Sequence, residues 1–522
     1  MKKFTAIALA AVMMLLTLCV FLPVFAAENI STADALYSAL SSNKDVKLTA
    51  DIDLSSYNWT KVENYTKTLD GNGYTVYVPD APLFYTLKGT VKNLNLATKS
   101  GDTMVLDDAD VKDKNGNHLL TFTNNLPGDY GVGVLANYAI GATVDNVYST
   151  ANVKFAVNLN KVAAGGLVGM ALSDANDAKS SFTKNTTIKN CSVSGKLNAN
   201  YGAETDNLTV LGGVVGVTLL NTTVEKCAVD AEILVDKQMA ARLGGIVGFV
   251  RVDGYATAGY TATSLASVEV KYCLFTGKIN KTVAGKSFVA GIVGESFADT
   301  KSDYGVNITS CMNSAETIDT ETDNGVYGCM GIISSSHAEK KPSEYKTTDK
   351  IKGCAVMHTI SWPKSANWNV YFVTARYAGV LAEGTHLYNP SGKSLRIWST
   401  TGGNTGIAGS SSTEYKSADE AKAGFVAANS AVFALDNNGK VTIIGVSQPT
   451  PPSTPTTNPP TTTTTPTTGA PTTTGTPTTT APTTTPSNPT TPPTGDMSVV
   501  IMVLAVISLV STVLIFKKKV TK

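Results

Sequence analysis

The acidic stretch at residues 101–118 is the first place where residue types suggest chemistry. Its side-chain oxygens are of the kind that Ca²⁺ binds in proteins, and they come from Asp107, Asp108, Asp110, Asp113, Asn115 and Asn117. A helix–loop–helix calcium loop also needs a glutamate at its twelfth position, and this stretch has no glutamate. We therefore expect a solvated loop or hairpin, with weak Ca²⁺ binding as the alternative and no other cofactor.

Cysteines recur at one position of a repeated phrase, three residues after an aliphatic side chain. The pairs are Ile188 and Cys191, Val224 and Cys227, Val270 and Cys273, Ile308 and Cys311, and Ile351 and Cys354. No CxxC pair or histidine cluster accompanies them, so zinc is not indicated. Copies stacked at the strand spacing of about 4.8 Å would be close enough for disulfides but poorly aimed for them. We expect buried reduced thiols, with disulfides between copies as the alternative and Cys329 outside the register.

Tryptophans collect near the end of the repeated region. Trp362, Trp368 and Trp398 lie within residues 359–400, together with several tyrosines. Aromatic faces stack on sugar rings, so these three residues could form a glycan platform. The alternative is that the rings fill the last part of the core, as large aromatic side chains usually do.

Two short phrases repeat along the chain and must position these residues. The first is GGLVG from Gly165, and related copies begin at Val132, Gly212, Gly244, Ala290, Met330 and Ala378. The second holds the cysteines, whose spacings by subtraction are 36, 46, 38 and 43 residues. Repeats of this length are single units that stack on their neighbours. Because the phrases are short, rich in Val, Ile and Thr, and separated by Gly and Asn, they favour strands. We predict an all-β, right-handed parallel β-helix.

Two kinds of corner are predicted within each repeat. Alternation of apolar residues breaks at Asn190, and Asn93, Asn146 and Gly353 occupy the same position, where a left-handed backbone would turn the chain. Lys226, Tyr272 and Ser310 share that position but favour this conformation less. At the other corner a glycine would allow two backbones to approach closely; these glycines are Gly166, Gly213, Gly245, Gly291 and Gly379.

The paired phrases resemble the GLUG-motif repeats of bacterial surface proteins, a family of pectate-lyase-like right-handed β-helices. The resemblance covers residues 28–447 and is closest in the repeats. It implies a β-helical architecture and a place on the bacterial surface. It names no activity, since the same repeats accompany several functions.

The remaining boundaries follow from composition. Residues 1–26 have the basic start, apolar run and small-residue end of a signal peptide. Residues 27–130 should form a cap and the first rungs, 131–358 the repeats, and 359–447 the last rungs and a second cap. Short capping helices are expected at residues 31–40 and 417–429, where Ser31 with Asp34 and Ser417 with Glu420 have capping-box spacing.

The C-terminal region is predicted to anchor the protein. Residues 448–494 are almost entirely Pro and Thr and should form a disordered, extended stalk. Residues 495–522 contain an apolar run at 497–516, long enough for one transmembrane helix, followed by lysines. Pro492, Thr494 and Gly495 resemble the sorting motif that sortases recognise in Gram-positive bacteria, although Thr491 replaces the usual leucine. The resemblance implies cleavage after Thr494 and attachment to peptidoglycan; the alternative is a retained membrane anchor.

Charge and motifs narrow the function. The net charge is +1 without a basic stripe, so nucleic acid is not an expected partner. HExxH and GxSxG are both absent. We expect an extracellular, wall-anchored adhesin or binding module for a glycan or a surface protein of a host or neighbouring cell. The alternative is a polysaccharide lyase or glycoside hydrolase on the outer face of the β-helix. The mixed outward positions Lys189, Glu225, Lys271, Thr309 and Lys352 make an enzyme the lesser expectation.

Overall fold

A computed structural model describes residues 27–452 apart from internal gaps. The gaps are residues 121–127, 176–181, 200–208, 236–240, 252–254, 258–259, 263–266, 282–286, 298–304, 316–317, 321–325, 334–335, 338–348, 358–370, 375–379, 391–395, 399–410 and 451. The predicted signal peptide, the stalk from residue 453, the sorting motif and the apolar run at 497–516 all lie outside the described residues. Neither described helix is long and apolar enough to cross a membrane.

The described chain is a parallel β-helix, which confirms the predicted fold class. Its largest sheet, which we call sheet A, has 24 strands. They are Glu28–Ile30, Val46–Leu48, Ile52–Asp53, Thr68–Asp70, Thr75–Tyr77, Thr90–Ala97, Met104–Leu106, Thr143–Ser149, Val153–Phe155, Thr186–Lys189, Ser192–Ala199, Thr222–Glu225, Ala228–Val235, Val268–Lys271, Leu274–Phe275, Lys278–Lys281, Val306–Thr309, Met312–Asn313, Ile318–Thr320, Asp349–Lys352, Ala355–Val356, Val380–Glu383, Thr385–Tyr388 and Ser412–Tyr415.

Two smaller parallel sheets complete the coils. Sheet B has seven strands, namely Phe84–Leu87, Ala136–Ile140, Val168–Leu172, Val215–Thr218, Val247–Arg251, Val293–Phe297 and Ser336–His337. Sheet C has eight strands, namely Tyr130–Gly133, Val162–Gly165, Thr209–Gly212, Ala241–Gly244, Ser287–Ala290, Val326–Met330, Tyr371–Thr374 and Arg396–Trp398. Three two-stranded antiparallel hairpins are also described, namely Asp174–Ala175 with Phe182–Lys184, Tyr255–Thr257 with Tyr260–Ala262, and Phe433–Leu435 with Val441–Ile443.

The corner after each aliphatic residue has the predicted left-handed backbone in every described copy. Asn93, Asn146 and Asn190 have φ of 51°, 56° and 54°. Lys226 and Tyr272, whose residue types argued against this corner, have φ of 51° and 58°. Stacking explains the difference, because each copy pairs in register with its neighbours and the shared corner overrides the preference of a single residue.

The glycine corner is also confirmed where it is described. A Cβ atom on Gly166 would overlap the carbonyl oxygen of Gly213, and one on Gly213 would overlap that of Gly245. Gly245 faces Gly291 in the same way, so only glycine lets successive rungs stack at this corner. Gly379 lies outside the described residues.

The repeated cysteines line the interior. Cys191, Cys227, Cys273, Cys311 and Cys354 are buried free thiols, which supports the reduced ladder over the disulfides. Each thiol donates to the carbonyl oxygen two residues earlier, as Cys191 does to Lys189 at 3.1 Å. The side chain of Cys329 lies outside the described residues.

Two helices are described, and both differ in detail from expectation. Helix α1, Ala33–Ser41, is capped by Thr32 and not by Ser31, because the Thr32 hydroxyl accepts from the amide of Ala35 at 3.3 Å. Leu36, Ala39 and Leu40 bury its apolar face. Helix α2, Ala418–Ala428, follows Ser417, whose side chain makes no capping hydrogen bond. Helix α2 lies on the outer face of sheet A.

Candidate functional site

The position that follows each repeated cysteine points out of the β-helix, and with its register partners on the other rungs it forms a continuous row, which we call the outer stripe. Strand register places its members side by side. In order they are Asn95, Tyr148, Ser192, Ala228, Leu274, Met312, Ala355, His386 and Thr413. The first three are polar, whereas the stretch from Ala228 to Ala355 is apolar. A continuous row of apolar side chains on the outer face of a strand indicates that another element covers it, whereas a single exposed apolar side chain does not.

The C-terminal segment covers this apolar stretch. We call residues 416–449 the strap; it contains helix α2 and the hairpin Phe433–Leu435 with Val441–Ile443. Its apolar side chains form a second hydrophobic cluster, separate from the interior of the β-helix, with members of the outer stripe. The cluster consists of Leu274, Met312, Ala355, Met357, Ala421, Phe425, Val432, Phe433, Val441 and Ile443. The segment predicted as a cap therefore packs sideways on sheet A.

Aromatic contacts fasten helix α2. The rings of Phe425 and Phe433 lie with centroids 4.9 Å apart, and Phe425 meets the edge of His386 at 6.0 Å. Nδ1 of His386 lies 3.0 Å from the hydroxyl of Tyr415 on the neighbouring strand. Burial lowers the pKa of His386, which favours the neutral ring in this contact.

A groove of about 730 Å³ lies between the strap and the outer face of sheet A. Asp230, Glu232 and Lys278 line it from sheet A, while Lys422 and Lys440 line it from the strap. Tyr388 and Met357 add apolar surface. Since its walls come from segments about 200 positions apart, as Lys440 and Asp230 are, the groove exists only in the folded protein.

Polar contacts hold the two carboxylates of the groove in place. Asp230 accepts from the hydroxyl of Thr276 at 3.0 Å and pairs with Nζ of Lys440 at 3.4 Å. Glu232 accepts from the amide of Asn280 at 3.0 Å and pairs with Nζ of Lys196 at 3.6 Å. Both ion pairs are largely exposed, so each adds little to stability, about 0–1 kcal/mol.

The groove offers hydrogen-bonding groups of both charges, since carboxylates and lysines both line it. Two carboxylates and three lysines line it, and Glu232 and Lys278 are register partners on adjacent strands. Such a surface presents acceptors and donors to hydroxyl groups without a strong net field. Within the described residues, no group of three or more His, Cys, Asp or Glu side chains could hold a metal ion.

The acidic stretch at residues 101–118 is not simply a solvated loop. Val111 is buried and Asp110 nearly so. Nζ of Lys61 donates to the carbonyl of Ala109 at 2.8 Å and lies 3.7 Å from the Asp110 carboxylate. Burial raises the pKa of Asp110 to about 6 and lowers the pKa of Lys61, so desolvation outweighs their attraction. The expectation of a solvated loop or hairpin missed the apolar anchor that Val111 supplies.

The carboxylates of this stretch serve turns. Asp113 accepts from the backbone amides of Asn115 and Asn117, both at 2.8 Å, and Asp107 accepts from that of Ala109 at 2.7 Å. Asp108 accepts from the amide of Asn158. The contacts of Asp107 and Asp113 are local and typical of Asx turns, whereas that of Asp108 ties the stretch to a segment 50 positions away.

None of the site residues predicted from the sequence is among the described residues that line the groove. Trp362 and Trp368 lie outside the described residues. Trp398 ends a strand of sheet C, and its side chain lies outside them too. Trp59 is buried and donates to the carbonyl of Leu83 at 3.2 Å, so it belongs to the core. Pro492, Thr494 and Gly495 are not described.

Sequence reasoning missed the groove, although one signal was present. Leu274 and Met312 follow cysteines at positions that strand alternation turns outward. Large apolar side chains at such positions indicate a covering element. The sequence does not say which segment supplies the cover.

Comparison with known proteins gives a distant structural likeness. No family model matches the chain, and no curated protein matches it. A solved structure that resembles it is that of a candidate immunoglobulin A1 protease from Bacteroides ovatus. The TM-score is 0.34 at 14% sequence identity, and the match covers 80% of this chain and 92% of the other.

Proposed function

We propose that this protein is a surface-exposed β-helical binding module that holds a glycan in the groove beside the strap. The observation that carries the proposal is the groove of about 730 Å³ with acceptors and donors on both walls. Sugar hydroxyls pair with carboxylates, lysines and amides, and a ring of Tyr388 can stack on a sugar face. Rigid rungs hold the groove on one side, which limits the entropy lost on binding.

The proposed location on the cell surface is supported by sequence features at the two ends of the chain. The signal-like residues 1–26 and the sorting-like residues around Thr494 support export and attachment to peptidoglycan by a sortase. A Pro/Thr stalk would carry the β-helix away from the wall toward a neighbouring surface. The protein is thus proposed to act as an adhesin.

A binding screen tests the proposed function. The secreted chain, residues 27–494, is applied to a glycan and polysaccharide array, and D230N and E232Q are applied beside it. Each substitution removes a charged acceptor, worth about 1.5–3 kcal/mol, so we expect affinity to fall at least about tenfold. The matched control is E225Q, because Glu225 pairs with Lys271 on the same sheet but outside the groove.

Other outcomes of the screen discriminate between sites and partners. Loss of binding in W362A, W368A or W398A, with D230N unchanged, would move the site to the tryptophan region. No glycan binding, together with binding to a surface protein that D230N abolishes, would change the class of partner. No effect of any groove substitution on any ligand would reject the groove.

An enzyme acting on polysaccharide is the second candidate. Asp230 and Glu232 lie on one face of one strand, two residues apart, so their Cα atoms are separated by about 7 Å. Glycoside hydrolases use carboxylates about 5–10 Å apart. Assays for reducing ends and unsaturated products on every bound polymer test this alternative; products lost in both D230N and E232Q would replace the binding proposal with it.

A further inference from the structure

The strap runs backwards along the β-helix. It starts after Tyr415, on the last described strand of sheet A, and its end is held by Asn95, whose Nδ2 donates to the carbonyl of Pro449 at 2.9 Å. From Thr413 to Asn95 the outer stripe takes eight register steps. At about 4.8 Å a step this is roughly 38 Å. The chain beyond residue 452 therefore starts near the N-terminal rungs.

The strap is held more weakly than the rungs. Rungs share backbone hydrogen bonds with neighbours on both sides and bury their side chains in the interior. The strap rests on one cluster of apolar side chains, on the exposed pair Lys440–Asp230, and on the hydrogen bond from Asn95 at its end. Its far end is the weakest part, because beyond Ile443 Val446 is only partly buried against that cluster and Pro449 is the one buried residue before Thr450.

We propose that the strap is a load-sensitive lid on the groove. Tension on the chain beyond residue 452 peels it from the outer face, starting at Pro449 and proceeding toward Tyr415. Peeling separates Lys440 from Asp230 and removes one wall of the groove, while the rungs stay folded. The proposal deepens the proposed function, since load would then limit how long a ligand is retained.

The direction of the strap makes peeling the expected response. A force that pulls Pro449 away from sheet A loads its contacts one after another and not all at once. The hydrogen bond to Asn95 breaks first, then the hairpin contacts with Leu274, and the aromatic contacts of helix α2 last. Each peeling step breaks only a few contacts, whereas unravelling a rung breaks all of its backbone hydrogen bonds to the next rung at once.

Optical tweezers test the proposal on residues 27–522, the chain without its predicted signal peptide and before any sortase cleavage, in detergent. One handle is attached to the C terminus and the other to the thiol of E225C in a C329S background, since the other five native thiols of residues 27–522 are buried. We expect a first reversible step of roughly 120 Å of contour, from the 34 residues of the strap at about 3.5 Å each. Rungs should unravel only at higher force.

Two variants and a control identify that step. L274D places a charge under the hairpin without entering the interior, and K440A removes only the exposed ion pair; both should lower the force of the first step. V105D is the control, because Val105 is exposed on sheet A away from the strap. A first step that comes from the rungs, or that both variants leave unchanged, overturns the proposal. No ligand is present, so this outcome is independent of the glycan screen.

Discussion

At the scale of single residues, the buried row of repeated cysteines shows how the interior of the β-helix suppresses the reactivity of a thiol. Burial raises the pKa of Cys191, Cys227, Cys273 and Cys311 well above that of an ordinary thiol. A thiolate is the reactive form, so these side chains act as small apolar fillers. They also let rungs stack without the geometry that a disulfide demands.

Alkaline pH should destabilise the protein through these four thiols. Below about pH 8.5, folded and unfolded chains both keep the thiol protons. Above it the unfolded chain releases them and the folded chain does not, so the free energy of unfolding falls by up to about 1.4 kcal/mol per thiol and pH unit. Urea unfolding between pH 8 and 9.5 measures the slope. In C273V the slope should shrink by about a quarter; an unchanged slope would contradict thiol burial as the cause.

At the scale of elements, the glycine corner sets how closely sheet C and sheet B approach. Strands of sheet C end at the first glycine of the phrase, and strands of sheet B begin three residues later, as in Val162–Gly165 and Val168–Leu172. Between them Gly166 and Gly213 lie against carbonyl oxygens of the next rung. The corner is thus a stack of backbones with no room for side chains.

Replacing Gly213 by alanine should therefore damage the fold severely. The new Cβ would overlap the carbonyl oxygen of Gly245, which belongs to a paired rung and cannot move alone. We expect a loss of about 3 kcal/mol or more, seen as a lower midpoint in thermal unfolding by circular dichroism. In the control G101A the Cβ meets nothing within 4 Å, and its positive φ costs only about 1–2 kcal/mol. Equal effects of both substitutions would reject close approach as the cause.

At the scale of the whole molecule, a β-helix, a strap and a predicted anchor are arranged in one chain. The described part ends at Pro452, a few residues after the strap is held beside Asn95. Under the proposed wall attachment, load would enter the described chain at this segment and not at the last rung of the β-helix. Wall attachment itself stays a prediction from residues 491–522.

The sorting prediction is tested by T494A in a Gram-positive host that carries sortases. Cleavage after Thr494 requires that residue, so the natural chain should be released with cell-wall fragments by muramidase, and T494A should remain with the membrane. T490A, one step outside the motif, should behave like the natural chain. If all three fractionate with the membrane, the protein keeps its apolar segment as the anchor.

Much of the fold could be predicted from the sequence, because repetition makes each local signal appear several times. Asn190 and Gly213 each mark a corner in one repeat. Because equivalent residues recur in the other repeats, the sequence predicts that the repeats stack with their corners aligned. The same logic placed Cys191 and Cys227 in one interior row. Where a single copy disagreed, as at Tyr272, the register of its neighbours decided the backbone.

Only the tertiary structure decided where the strap lies and that a groove exists. Asn95 and Pro449 are 354 positions apart, and no periodic signal connects them. The sequence shows an outward Leu274 that needs cover and a predicted helix at residues 417–429 that could provide it. Which surface a segment covers depends on the summed contacts of the folded rungs, and these form only after the coils have stacked.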